Sequence, residues 1–66
     1  MKNRIRVARA EVRMTQQQLA DATGVSRQTI NAIESGKFVP STILALKIAA
    51  TFGQAVEKVF QLEDGD

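Results

Sequence analysis

The chain has 66 residues, room for one domain; burying only about 60% of its unfolded surface leaves it marginal without a staple or a partner. It has no Cys and no His, which excludes disulfides, thiolate or imidazole metal sites and the usual neutral-pH base, and makes dimerisation the natural way to bury more surface. The formal charge of +2 hides an asymmetry: residues 1–47 carry eight Lys and Arg against three Asp and Glu, and residues 48–66 carry one against four, a balance expected of a polyanion binder.

No apolar run approaches the ~20 residues that span a bilayer. The basic segment Met1–Arg13 lacks the apolar core of a signal peptide. A soluble, intracellular protein is expected, and the lack of Cys fits a reducing compartment.

From about Arg4, Ile5, Ala8 and Val12 recur at helical spacing and predict a first helix with these three inward. At about 100° per residue, Arg9 falls within roughly 60° of all three. Arg4, Arg6 and Arg13 lie off that face and stay in water. Thr15 and Gln18 have capping-box spacing at the start of a second helix, about Gln16–Thr23, with Leu19 and Ala20 inward. Gly24 supplies the positive φ that ends it. Ser26 caps a third helix, about Arg27–Ser35, and Val25 with Ile30 forms a hydrophobic staple. Ile30 and Ile33 point inward, and the same wheel sets Glu34 beside Ile30. An inward Arg and an inward Glu each need a partner. An Arg9–Glu34 ion pair is therefore expected to tie the first helix to the third.

Gly36 ends the third helix and residues 37–40 form a loop. Ser41 caps a fourth helix running to about Phe52, with Gly53 as its stop. Leu44, Ala45, Ile48, Ala49 and Phe52 make one broad apolar face. Ile43, Leu46 and Ala50 are apolar on the other side, leaving Lys47 and Thr51 as a narrow polar strip. Such a helix is expected to be buried nearly all round, one side on the core and the other against the last helix or a partner subunit. Ala55–Val59 is a short segment whose Val56 and Val59, with Phe60, cover the core. Val59–Leu62 alternates like a brief strand, with Met1–Asn3 as its candidate partner. The acidic Glu63–Asp66 is expected to fray. There is no internal repeat, low-complexity tract or linker.

Helix, tight glycine turn, helix over about residues 15–35 is the layout of a helix-turn-helix. Opposite Ile30 and Ile33 on the third helix lie Gln28, Ala32 and Ser35, flanked by Arg27, Thr29 and Asn31. Arg pairs bidentately with guanine, Gln and Asn with adenine, and Thr offers a methyl and a hydroxyl. Ala32 keeps the centre low, and the longest side chains sit near the helix N-terminus, the end that enters a major groove. At Gln16, free amides and the helix dipole favour an anion, to which the Thr15 and Gln16 side chains add hydrogen bonds. Lys37, Ser41 and Thr42 are further phosphate candidates. Each of these is equally suited to capping or to a solvated surface.

The run TQQQLADATGVSRQTINAIESGKFVPS, followed by LALKIAATFG and VEKVF, resembles the Cro/lambda-repressor-like (Xre) helix-turn-helix family over essentially the whole chain. The agreement lies at Gln16, Leu19, Ala20, Gly24, Val25, Ser26, Ile30, Glu34 and Gly36. It is strongest with very short dimeric members, such as the repressor of a cytolysin operon. The resemblance implies an all-α, five-helix DNA-binding domain over 1–66, with a small antiparallel sheet formed by the chain ends. It implies that Gln16 bonds phosphate and buttresses the third helix. Arg27, Gln28 and Asn31 would face bases or nearby phosphates, with Thr29 and Lys37 mainly on the backbone. Family members often pair an Arg and a Glu at the positions of Arg9 and Glu34. Ala32 departs from members with a long polar residue there, so one of their base contacts is missing. A cytoplasmic, nucleoid-associated protein of prokaryotic or phage origin follows from the same likeness.

An enzyme is not expected: without His or Cys, and with no phosphate-cradling Gly loop, no constellation offers a nucleophile with its base. The leading expectation is a homodimeric transcriptional regulator, most simply a repressor, on a palindromic double-stranded DNA operator with half-sites ~34 Å apart. The alternative is an antitoxin-type interaction module that neutralises a partner protein and autoregulates its operon. The expected DNA-binding residues are Thr15, Gln16, Ser26, Arg27, Gln28, Thr29, Asn31 and Lys37, with Arg9 and Glu34 as a structural ion pair. No metal, cofactor, small-molecule ligand or membrane is implied.

Overall fold

Three hydroxyl side chains start the three longest helices. Thr15, Ser26 and Ser41 each accept a hydrogen bond from the amide three residues on, at 3.0, 3.1 and 3.1 Å. Each such cap stabilises its helix by about 1 kcal/mol. At Thr15 the capping box is complete, because the Gln18 side chain accepts from the Thr15 amide at 2.8 Å. The computed structural model describes residues 1–66. The chain runs β1 (Lys2–Asn3), α1 (Ile5–Glu11), α2 (Gln16–Thr23), α3 (Arg27–Glu34), α4 (Thr42–Thr51), α5 (Val56–Val59) and β2 (Phe60–Gln61).

The stops are also local. Gly24 at φ 76° closes α2, its own amide and that of Val25 both donating to the Ala20 carbonyl. Gly36 at φ 80° closes α3 with the paired Lys37→Ala32 and Gly36→Ile33 bonds of a Schellman turn. Ser35 is thus the cap rather than the last residue of α3, and Phe52 plays the same part for α4.

α2 packs against both α3 and α4, and α5 lies against α4. Ile5, Leu19, Ile30, Ile33, Ile48 and Val59 are the largest fully buried side chains, and each contributes about 1.5–3 kcal/mol by leaving water. Val25 packs against this core next to the start of α3. The two ends pair antiparallel, Lys2 opposite Gln61 and Asn3 opposite Phe60. The Arg4 amide extends the pairing to the Val59 carbonyl at 2.8 Å. The five helices with their two-stranded sheet have a radius of gyration of 10.8 Å, the value for a compact chain of this length.

Two expectations from the sequence, on Val12 and on residues 63–66, do not hold, and a third is narrowed. Val12 is half exposed: α1 ends at Glu11 and Val12 is its C-cap, its amide still donating to the Ala8 carbonyl at 3.3 Å. The last helix does not bury the outer side of α4: Ile43 is 69% and Leu46 53% exposed within the chain, which leaves a partner subunit of the two expected covers. Residues 63–66 do not fray but fold back on the N-terminus. The Met1 ammonium lies 3.1 Å from Glu63 and 3.0 Å from Asp66, which also accepts from the Glu63 amide. No helix is long and apolar enough to cross a membrane.

Candidate nucleic-acid interface

A carboxylate holds the motif together from behind. The Glu34 side chain, at the end of α3, has no exposed area. Arg9 of α1 donates from Nε to Glu34 Oε2 at 2.7 Å and from Nη2 to Oε1 at 3.1 Å. Gln16 of α2 donates from Nε2 to the same Oε1 at 3.1 Å, and Arg6 reaches it with Nε at 3.4 Å. The third donor of Arg9, Nη1, goes to the Met14 carbonyl at 2.9 Å. Three helices therefore meet on one side chain, and no buried side-chain polar atom is left without a partner. Burial pushes the Glu34 carboxyl up, but the bonds from Arg9, Gln16 and Arg6 and the Arg9 charge outweigh it and hold the group below its ordinary value.

With its inner side fixed, α3 turns the rest outward. Arg27, Gln28 and Asn31 are exposed, and Ala32 between them is half-buried and short. Ser26 and Thr29 join their hydroxyls at 2.9 Å, so these two expected DNA contacts also serve the fold at the helix start. Lys37 is exposed beyond Gly36. α3 is about 12 Å long at 1.5 Å per residue, so Arg27 and Lys37 stand at opposite ends of it. Thr15 and Gln16 form a separate group at the start of α2. Thr15 is occupied as the cap and Gln16 by Glu34, whereas the Gln16 and Gln17 amides face no preceding helical carbonyl.

Several contributors escaped the sequence. Arg6 was placed in water and is 70% exposed, yet it joins the Glu34 cluster. Its signal was present: Arg6 and Arg9 are three apart and so neighbours on a helix. The Asn3 side chain donates to the Ile33 carbonyl at 2.9 Å and accepts from the Ile5 amide at 3.2 Å, joining β1, α1 and α3. Nothing in the sequence announces a contact spanning thirty residues. Arg13 adopts φ 55°, a left-handed turn usually given to glycine. Thr23 is buried because its hydroxyl returns to the Leu19 carbonyl at 2.8 Å.

Comparison with known proteins agrees with this geometry. Residues 5–59 match the family described as Helix-turn-helix. An uncharacterized HTH-type transcriptional regulator of Methanocaldococcus jannaschii is 52% identical over 66 residues, covering all of both chains. One from Bacillus subtilis is 47% identical over 64 residues, 97% of each chain. One from Archaeoglobus fulgidus is 47% identical over 64 residues, 97% of this chain and 91% of the relative. A buried anchor behind α3, free polar side chains in front of it and these matches lead to one conclusion: the chain belongs to the Xre-like helix-turn-helix family.

Proposed function

We propose that the protein is a sequence-specific DNA-binding transcriptional regulator that acts as a homodimer on a palindromic operator and represses by occupying it. The observation that carries this reading is the division of α3. Ile30, Ile33 and Glu34 fix its inner side, while Arg27, Gln28 and Asn31 stand exposed around the short Ala32. These side chain types match the hydrogen-bonding edges of guanine and adenine in the major groove. Arg27, Gln28 and Asn31 read bases. Thr15, Gln16, Ser26, Thr29 and Lys37 hold phosphates on either side, which sets the depth and register of the helix. The names of the relatives, HTH-type transcriptional regulators, support the regulatory part. The uncovered Ile43 and Leu46 of α4 support the dimer, because a 66-residue chain has little other means of burying more apolar surface.

The test is selection of bound duplexes from a random pool, followed by affinity measurements on the consensus. A palindrome with half-sites about one DNA turn apart is expected. Arg27→Ala and Gln28→Ala each reduce discrimination at one position by ~1–3 kcal/mol, while Lys37→Ala weakens all sequences alike. No enrichment in the selection, or unchanged operator preference in Arg27→Ala and Gln28→Ala, overturns the reading.

A further inference from the structure

Two arginines converge on Glu34, and they are not equivalent. Arg9 uses Nε and Nη2 on the carboxylate and Nη1 on the Met14 carbonyl, and its side chain is only 16% exposed. Its charge is matched by the Glu34 charge. Arg6 touches Oε1 with Nε alone, at 3.4 Å, and its side chain is 70% exposed. The cluster thus holds two cations against one anion, and the surplus positive charge sits on Arg6 at the surface. Both terminal nitrogens of Arg6 remain free, and these form the planar fork that fits a phosphate.

The position of that charge is also constrained. Glu34 Oε1, which receives Arg6 Nε, is the atom that receives Gln16 Nε2 at 3.1 Å. The Arg6 guanidinium and the Gln16 amide are thereby held side by side on one oxygen. Gln16 begins α2, where the first amides lack intrahelical carbonyls and the dipole is positive. As a prop for Glu34, Arg6 is superfluous: an exposed pair at this distance contributes little, and Arg9 and Gln16 already satisfy both carboxylate oxygens.

We propose that Arg6 is a DNA-backbone contact: its guanidinium grips the phosphate that docks at the start of α2, beside Gln16, and Glu34 holds the two donors in register. α1 then supplies an element of the interface, and the buried carboxylate behind α3 also organises the phosphate site. This rests on the DNA-binding reading above and adds to it a residue outside the helix-turn-helix.

The experiment measures binding of the selected operator duplex by fluorescence anisotropy between 50 and 200 mM KCl, for wild type, Arg6→Ala and Arg6→Lys. Arg6→Ala is expected to reduce the slope of log K against log salt by about 0.9 per bound subunit. Its ranking of operator variants and its thermal midpoint stay as in wild type. Arg6→Lys keeps the slope, because a positive charge suffices to release a counterion. An unchanged slope in Arg6→Ala overturns the proposal. So does a lowered thermal midpoint with an unchanged slope, which makes Arg6 a structural prop. If Arg6→Ala does not fold, Arg6→Gln replaces it: its amide still reaches Glu34 without the charge, and again an unchanged slope overturns the proposal. Selection of an operator by wild type with no slope change in the variant removes only Arg6 from the interface. Absence of any selected sequence removes the DNA-binding reading itself.

Discussion

Glu34 on α3 is a charged group whose side chain has no area in water, while Ile43 on α4 is a large hydrocarbon side chain in a residue 69% exposed. Each reverses the ordinary rule for its residue type, and the two reversals are resolved differently. Glu34 is surrounded by donors from α1 and α2 within the same chain. Ile43, with Leu46 one turn along, is left mostly uncovered by its own chain. A buried charge without partners would cost the monomer several kcal/mol, so its partners are supplied from within. An exposed apolar residue does not prevent folding, so its cover can come from outside. The first region therefore describes how the monomer holds its helix-turn-helix, and the second how one copy is proposed to meet another.

The largest expected effect comes from breaking the first region. Arg9→Ala leaves Glu34 buried with its main counter-charge gone, and should cost ~3–5 kcal/mol. A 66-residue domain has about 3–10 kcal/mol in total, so the variant is expected to lose a large share of its stability. Urea unfolding followed by circular dichroism measures this; a loss below ~1 kcal/mol would reduce the cluster to a surface ion pair. The same region predicts the response to acid. Because the folded-state pKa of Glu34 lies below its ordinary 4.5, the unfolded chain takes up the proton first as pH falls. The stabilisation is fully present above that ordinary value and is lost as pH drops through the lower folded value. In Glu34→Gln this part of the pH dependence should disappear, which a series of melts across acidic pH would reveal.

The second region is tested by adding charge where nothing is paired. Ile43→Glu and Leu46→Glu place carboxylates on a surface that is already exposed, so the monomer fold should be retained. If the α4 face is the dimer contact, each change should weaken self-association by about 2 kcal/mol or more. That corresponds to roughly 30-fold in the dissociation constant. Sedimentation equilibrium reads it directly, and operator affinity should fall with it while single half-site preference stays. Variants that sediment like wild type would move the contact away from α4.

The difference between the regions also marks what was legible in the sequence. The caps at Thr15, Ser26 and Ser41 and the stops at Gly24 and Gly36 are local chemistry, and they sit where the sequence puts them. The meeting of Arg9 with Glu34 was legible because each stood on an apolar face, and opposite inward charges have few other resolutions. Arg6 was missed despite its i, i+3 spacing from Arg9, because a helical wheel assigns a face to a Cβ, whereas a long guanidinium reaches sideways around the helix. Which of its two expected covers the outer side of α4 takes was not legible for a related reason. Periodicity says that a surface is apolar, but coverage depends on where α5 lands, and α5 is only four residues long. Of the proposed DNA-facing residues, the sequence supplied the exposed face of α3 through the positions of Ile30 and Ile33. It could not distinguish free side chains such as Arg27 from the mutually bonded Ser26 and Thr29.

The smallest expected effect sharpens the first region without touching a charge in it. Arg13 ends α1 in the left-handed conformation, at φ 55°. Its amide donates to the Ala10 carbonyl and the next amide, of Met14, to the Arg9 carbonyl at 2.9 Å. This turn aims the Met14 carbonyl at Arg9 Nη1, so the backbone strain at Arg13 supports the orientation of the arginine that neutralises Glu34. A non-glycine residue held there costs roughly 1–2 kcal/mol, part of which glycine gives back through its more flexible unfolded chain. Arg13→Gly should therefore raise stability by a few tenths to about 1 kcal/mol in urea unfolding, with the Glu34 acid response unchanged. Gly24→Ala is its mirror: an added Cβ would meet no atom within 4 Å, so any loss there, on the order of 1 kcal/mol, is backbone strain alone. If Arg13→Gly instead lowers stability, the Arg13 side chain contributes more than its backbone costs, and the orientation of Arg9 would depend on more than the turn.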